Sequence, residues 1–312
     1  MDNIVGVTSF LREKIRENGG NPDRETLSFI PAKNGKYYHY RQEKCWRIYR
    51  YIDDSYTINI IKNPGVFENA GRSFGLFQKN LSGYPMESLY EIIKDFHNTP
   101  KRLENLKNSI DADVVGRVAD VQDEIDFVFA RVKDTKRVLK LYRDGLIPLR
   151  VTHNDTKLNN VLFDNTTKKG ICIVDLDTVM PGSSLYDFGD SIRFGANTAA
   201  EDETDLSKVT LSLEYFKAYV DGYLEAAGDS LTDNEIKYLA FSAKLLTFEC
   251  GIRFLADFLD GDVYFKTEYP EHNLVRARTQ FKLVADIEAK YDAMMSIVEE
   301  SANTILKNRK IF

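Results

Sequence analysis

Residues 149–163 hold the densest polar cluster of the chain between two apolar neighbourhoods: Leu149-Arg150-Val151-Thr152-His153-Asn154-Asp155-Thr156-Lys157-Leu158-Asn159-Asn160-Val161-Leu162-Phe163. Apolar flanks of this kind enter a core, so the polar residues between them must lie on a loop that satisfies them. Within it His153, Asp155, Lys157 and Asn160 follow the spacing H-x-D-x-K-x-x-N. That spacing puts a carboxylate able to accept a proton and an amide able to hold a metal on one short loop. Next, Asn160–Phe163 and Ile171–Leu176 flank the polar turn 164–170, which reads as a hairpin. The second strand ends in Ile173-Val174-Asp175-Leu176-Asp177. Carboxylates there are placed to ligate a hard cation, and Asp175 is the metal-ligand candidate.

Each motif also has a plain reading. Asp155 and Asn160 could make only turn hydrogen bonds, and Asp175 could be a strand-end carboxylate bonded to nearby backbone. Their succession across a short hairpin favours chemistry, because a phosphoryl-transfer site needs both pieces close in space.

The rest of the chain supplies a frame for such a loop. Ile4, Val5, Val7, Phe10, Leu11 and Ile15 recur at helical steps until Gly19-Gly20-Asn21-Pro22 stops them, which predicts a helix from Ile4 to Arg16. Aromatic and β-branched runs at Tyr37–Arg41 and Cys45–Ile52, joined by Gln42-Glu43-Lys44, predict an antiparallel hairpin. Beyond Tyr56 the character turns helical, with Val66–Asn80 and Met86–Phe96 as amphipathic segments and Val121–Tyr142 as a long charged one. From Asp205 three long helical stretches run to the end, interrupted at Gly228-Asp229-Ser230 and between Gly261 and His272. The expected fold class is α+β: residues 1–55 form a small first lobe of helix plus hairpin, and residues 56–312 a larger helical one.

Composition removes several alternatives. At 43% hydrophobic and 29% charged over 312 residues, the chain can bury a sizeable core and is not disordered. A net charge of −6 argues against a non-specific nucleic-acid binder. Cys45, Cys172 and Cys250 are odd in number and far apart, which suggests buried thiols rather than a disulfide framework or zinc site. His39, His97 and His272 share no ligand spacing and receive no role. No apolar run spans a bilayer and no signal core opens the chain, so the expected location is cytoplasmic and no membrane partner is expected.

The loop motif has the layout of a kinase catalytic loop. His153-Asn154-Asp155 with Asn160, followed by Val174-Asp175-Leu176-Asp177, resembles the aminoglycoside phosphotransferase and choline kinase superfamily, small-molecule kinases with a protein-kinase-like two-lobe fold. More narrowly, residues 150–160, Asp175–Thr178 with Met180-Pro181-Gly182, Asp187–Gly195 and Tyr269–Arg276 resemble bacterial N-acetylhexosamine 1-kinases, over nearly the whole chain. That resemblance implies transfer of the ATP γ-phosphoryl group to the anomeric hydroxyl of N-acetylglucosamine or N-acetylgalactosamine, with magnesium. It implies Asp155 as the base on the sugar hydroxyl, Asn160 and Asp175 as magnesium ligands, and Lys157 facing the transferred phosphate. It sets Arg253 and Tyr264 on the sugar and brings backbone near Tyr51 and Ile52 to the adenine.

By spacing alone, Lys157 can also be read as a solvated loop lysine, and Arg253 reads first as a helix-surface residue paired to Asp257. Asp187 and Asp190 read as structural carboxylates tying the backbone of the catalytic loop. A kinase lobe of this type should open with strands carrying a phosphate-covering turn and a lysine. This sequence starts at the helix that would follow them, so the amino-terminal lobe is expected to be reduced, its ATP binding weakened, and its hairpin edge open to homodimer pairing. A pseudokinase that binds a sugar, or a kinase acting on choline, an aminoglycoside or homoserine, is the competing reading.

Overall fold

In the computed structural model, which describes residues 1–307 and 311–312, the first apolar stripe folds as its period requires. Ile4, Val7, Leu11 and Ile15 are buried along one face of α1 (Asp2–Glu17). Gly19 and a short α2 (Pro22–Glu25), capped by the Asn21 side chain, turn the chain back. β1 (His39–Arg41) and β2 (Lys44–Trp46) pair antiparallel and are exposed at every position. The turn is two residues, Gln42 and Glu43, both at positive φ, not the expected three, because a primed turn matches the twist of its strands. The second strand does not run on to Ile52 as expected. Beyond Trp46 the chain leaves β1 and pairs with 28–30, through Ile30 N–H to the Ile48 carbonyl and Arg50 N–H to the Ser28 carbonyl.

β3 (Ser55–Tyr56) precedes α3 (Pro64–Asn80), which starts where Asn63 accepts the Val66 N–H and Pro64 occupies the first turn. α4 (Thr99–Ala112), α5 (Gln122–Phe129) and α6 (Arg137–Arg143) lead to the polar cluster. That region contains β4 (Arg150–Thr152), β5 (Val161–Asp164), β6 (Gly170–Ile173) and β7 (Met180–Gly182). β5 and β6 form the expected hairpin, β3 joins it through Ser55–Asp164 and Tyr56–Phe163, and β4 pairs antiparallel with β7. The remainder is helical: α7 (Ser184–Gly195), α8 (Leu213–Ala227), α9 (Asp233–Lys237), α10 (Leu239–Leu259), α11 (His272–Ala289) and α12 (Tyr291–Ile305).

Two helical expectations fail, the first because a distant side chain takes over the backbone and the second where an arginine side chain turns to a distant carboxylate. In Met86–Phe96 only Met86–Ser88 makes a single 3₁₀ turn. The Asn3 side chain satisfies both polar groups of Tyr90, donating to its carbonyl at 2.8 Å and accepting its N–H at 2.9 Å. Those are groups a continuing helix would have needed for itself. Val121–Tyr142 is broken between α5 and α6. There Arg131 stacks on Phe127, 3.5 Å from the ring centroid, and forks onto Glu288 of α11 at 3.0 and 2.7 Å. The backbone tightens to i→i+3 bonds at Arg131 and Asp134.

One apolar core joins α1, α3, α7, α8 and the first half of α10, and a second joins α4, α5, α11 and the second half of α10. α10 therefore links the two cores. α3 and α8 meet backbone to backbone: a Cβ on Gly222 would lie 2.1 Å from the Glu68 carbonyl oxygen, and one on Gly71 2.5 Å from that of Tyr219. Among the described residues no helix is long and apolar enough to cross a membrane. Cys172 is buried and Cys250 half-buried, but Cys45 is exposed because neither face of its two-stranded ribbon is covered.

Candidate active site

The polar cluster hangs between the β4–β7 ladder and the β5–β6 hairpin, and buried carboxylates of α7 hold its backbone. Asp187 accepts the N–H of His153 at 2.9 Å and that of Asn154 at 2.8 Å, and Gln78 of α3 donates to it at 2.9 Å. Burial pushes the Asp187 carboxyl up, and these donors only partly offset that. Asp190 accepts the Thr156 N–H at 3.2 Å and pairs with Arg193 at 2.8 Å. The structural role read for both residues is what the geometry shows. His153 is fully buried, with its Nε2 bonded to the Val174 carbonyl at 2.8 Å and its Nδ1 accepting the Asp155 N–H at 3.2 Å. The ring thus carries its proton on Nε2 and clips the loop to the end of the β6 segment.

These constraints bring together four of the sequence candidates. Asp155 and Lys157 meet at 2.9 Å, with the Asp155 side chain 27% exposed and therefore reachable by a ligand. Burial works against the Lys157 charge, but the hydrogen bond and charge of Asp155 outweigh it and hold the ammonium above its ordinary value. Asn160 is buried and donates its amide to the Asp155 carbonyl at 2.8 Å, which turns its Oδ1 away from that bond. Asp175 sits at φ 60°, a left-handed turn at the strand end, near enough to Asp155 for the two charges to interact. Burial raises it first, and the neighbouring charges of Asp177 and Asp155 raise it further. A carboxyl crowded by like charges favours a cation beside it, and Asn160 with Asp175 offers the oxygen donors that magnesium takes. Among the described residues no three His, Cys, Asp or Glu could enclose a metal. An ion here would draw its other ligands from water and phosphate, as magnesium commonly does.

Beside the loop opens a cleft of about 500 Å³, lined by Asp155 and Lys157 of the loop and by Arg253, Tyr264, Lys266 and Arg276. The i,i+4 pairing of Arg253 with Asp257 is absent. Asp257 is buried and accepts the backbone N–H groups of Val263, Tyr264 and Phe265 at 3.0, 2.7 and 2.9 Å, plus the Asn273 amide at 2.8 Å. Arg253 instead lies between the rings of Phe96 and Phe265, 5.4 Å from each centroid. Sequence reasoning assigned His97 no role and overlooked Glu249, Lys266 and Arg276. In the fold His97 bonds Glu249 at 2.8 Å and all four line the cleft. The only sequence signal for any of them was their membership in segments around Arg253 and Tyr269–Arg276. Tyr51 and Ile52 are not part of this cleft: the Tyr51 side chain is in solvent and Ile52 in the core.

Residues 34–229, more than half of the chain, match the phosphotransferase enzyme family, APH. The chain belongs to that family. Among solved structures, the APH-type fold recurs in an aminoglycoside phosphotransferase from Alicyclobacillus acidocaldarius, at TM-score 0.59 and 10% identity over 96% of this chain and 84% of that one. It recurs in an amicoumacin kinase in complex with AMP-PNP, Ca2+ and Ami, at TM-score 0.56 and 13% identity over 93% and 78%. A choline kinase from Cryptosporidium parvum matches at TM-score 0.50 and 14% identity over 96% and 82%. At these identities the likeness is one of fold. It establishes the α+β, kinase-like architecture with a large helical carboxy-terminal region, and the APH family makes the chain a phosphotransferase.

Proposed function

We propose that this APH-family chain transfers the γ-phosphoryl group of ATP to the anomeric hydroxyl of an N-acetylhexosamine, N-acetylglucosamine or N-acetylgalactosamine. In this reading residues 1–55, with backbone near Tyr51 and Ile52, face the nucleotide, and residues 56–312 hold the acceptor. The observation that carries it is the charge inventory of the cleft. Each of its carboxylates already has a partner: Asp155 has Lys157, Asp190 and Glu201 share Arg193, and Glu249 has His97 and Thr99. The lining adds Arg253, Lys266 and Arg276, the last 4.0 Å from Glu201. Choline and the aminoglycosides are cations, and a wall with three such groups and no uncommitted carboxylate disfavours them. Hydroxyl and acetamide oxygens, by contrast, accept from guanidinium groups, and Tyr264 can cover an apolar sugar face.

For transfer, Asp155 accepts the proton of the sugar 1-hydroxyl as its oxygen forms a bond to the γ-phosphorus and the bond to the ADP oxygen breaks. Lys157, already poised on Asp155, neutralises charge on the moving phosphoryl group. Asn160 and Asp175 would hold magnesium, which supplies electrostatic stabilisation of the phosphates. The test is ADP release in magnesium and ATP with N-acetylglucosamine, N-acetylgalactosamine, choline, an aminoglycoside or no acceptor. Release that depends on a hexosamine and on Asp155 is the expected result. Release driven by choline or an aminoglycoside, or none with any acceptor, would overturn the proposal, and silence would favour a sugar-binding pseudokinase.

A further inference from the structure

Two carboxylates, Asp175 and Asp177, flank Leu176 at the turn that ends the β6 segment, and only Asp177 carries an arginine fork among the described residues. Both guanidinium nitrogens of Arg47 fork onto the two oxygens of Asp177, the second contact at 2.5 Å. The fork is held from behind. Arg47 stands 6.0 Å over the Phe29 ring, beside the backbone pairing of Ile30 with Ile48 and of Arg50 with Ser28, and its NH1 reaches the Met1 sulfur at 3.8 Å. A bidentate arginine–carboxylate pair engages both oxygens of the acid and offsets its charge, so Asp177 is the weaker ligand for a metal while the fork stands. Asp175, two residues earlier, has no arginine or lysine paired to it among the described residues, and its carboxyl is hydrogen-bonded to that of Asp177.

We infer that Arg47 is a positioning residue that sorts this carboxylate pair, occupying Asp177 so that Asp175 alone, with Asn160, serves as the protein's metal-binding carboxylate. The inference rests on the magnesium site proposed above. It gives a residue outside the catalytic loop control over how many carboxylates meet the ion, and so over how tightly a metal binds before nucleotide arrives. A hard cation gains affinity with each added anionic ligand. Releasing Asp177 should therefore tighten metal binding, a direction that simple structural damage would not produce.

The test is Mn2+ binding to the full chain without nucleotide, read from the electron paramagnetic resonance signal of free Mn2+. Arg47→Ala should bind Mn2+ at least fivefold more tightly than the parent, and adding Asp177→Asn to it should restore the parent value. Asp177→Asn alone, at a side chain 54% exposed, should stay within twofold of the parent. A parent-like affinity in Arg47→Ala, or tightened binding that persists in the double variant, would overturn the sorting role. A shift of fivefold or more in Asp177→Asn alone would do the same. Asp175→Asn separates the two levels. If it loses Mn2+ while Arg47→Ala matches the parent, only the sorting role fails; if it binds as the parent does, the metal site itself is wrong and the inference goes with it.

Discussion

Asp155 combines an accessible carboxylate with a backbone held independently of it. Its carbonyl accepts from Asn160 and its N–H donates to His153, while among the described residues the side chain reaches only Lys157 and the edge of Asn160. Asp155→Asn should therefore lower turnover by about 10²–10⁴-fold, the usual contribution of a general base, with the thermal unfolding midpoint unchanged. Paired turnover and melting measurements on the variant check both halves. A different residue carries stability. Glu235 of α9 is fully buried, and burial alone would push its carboxyl up. Arg150 forks onto it at 2.5 and 2.7 Å, Ser184 and the Thr232 N–H donate to it, and together they hold it below its ordinary 4.5. A carboxyl depressed on folding contributes stability that is complete above the unfolded value and disappears as pH falls through the folded one. Glu235→Gln should cost about 3–5 kcal/mol at neutral pH, since it leaves Arg150 buried and uncompensated. The gap to the parent should narrow below the ordinary value of 4.5, as urea titrations from neutral to acid pH would show.

At the level of elements, the wall that carries Tyr264 and Phe265 is organised from beneath. Asp257 on α10 gathers three successive backbone N–H groups of the 263–265 turn, and Asn273 on α11 fixes the same carboxylate. An amide in its place offers one acceptor oxygen and sets an NH2 against N–H donors, so the turn loses charge-assisted bonds of about 1.5–3 kcal/mol each. Asp257→Asn should raise the acceptor KM about tenfold or more while leaving the ATP KM within twofold, because only one wall of the cleft moves. Steady-state kinetics with each substrate varied in turn would show it, and an equal rise in both constants would point to general unfolding. The failed helices belong to the same scale. Met86–Phe96 and Val121–Tyr142 have helical periodicity, but Asn3 and Glu288 lie 87 and 157 residues from the groups they bind, and no local pattern marks such partners.

For the molecule as a whole, a net charge of −6 coexists with a cleft wall bearing Arg253, Lys266 and Arg276. Net charge argues against a non-specific nucleic-acid binder but is silent about acceptor charge, which depends on where a few cations end up. α10 makes that placement: its first half is locked in one core and its second half in the other, which sets Glu249 and Arg253 against the catalytic loop. Binding of magnesium and ATP across this frame should stabilise the chain by mass action, by about 2.7 kcal/mol at one hundred times the dissociation constant. Differential scanning calorimetry should show a concentration-dependent rise in unfolding temperature in the parent and a much smaller one in Asp175→Asn.

Much of the site was legible because it is local. Asp155, Lys157 and Asn160 lie within six residues and Asp175 one hairpin further on, so spacing and the apolar flanks already placed them on one loop and one strand end. The same local information determined α1, α3 and the β5–β6 hairpin. What required the tertiary structure were the partners. Asp187 and Asp190 hold a loop some thirty residues earlier, Asp257 turns away from Arg253 to a turn beyond its own helix, and Glu249 finds His97 across 152 residues. Arg47 meets Asp177 across 130. Spacing along a chain constrains side chains only within a turn or a hairpin. Which buried charge neutralises which, and so which cations are left facing the acceptor, is decided when separate elements pack and each buried polar group must find a partner.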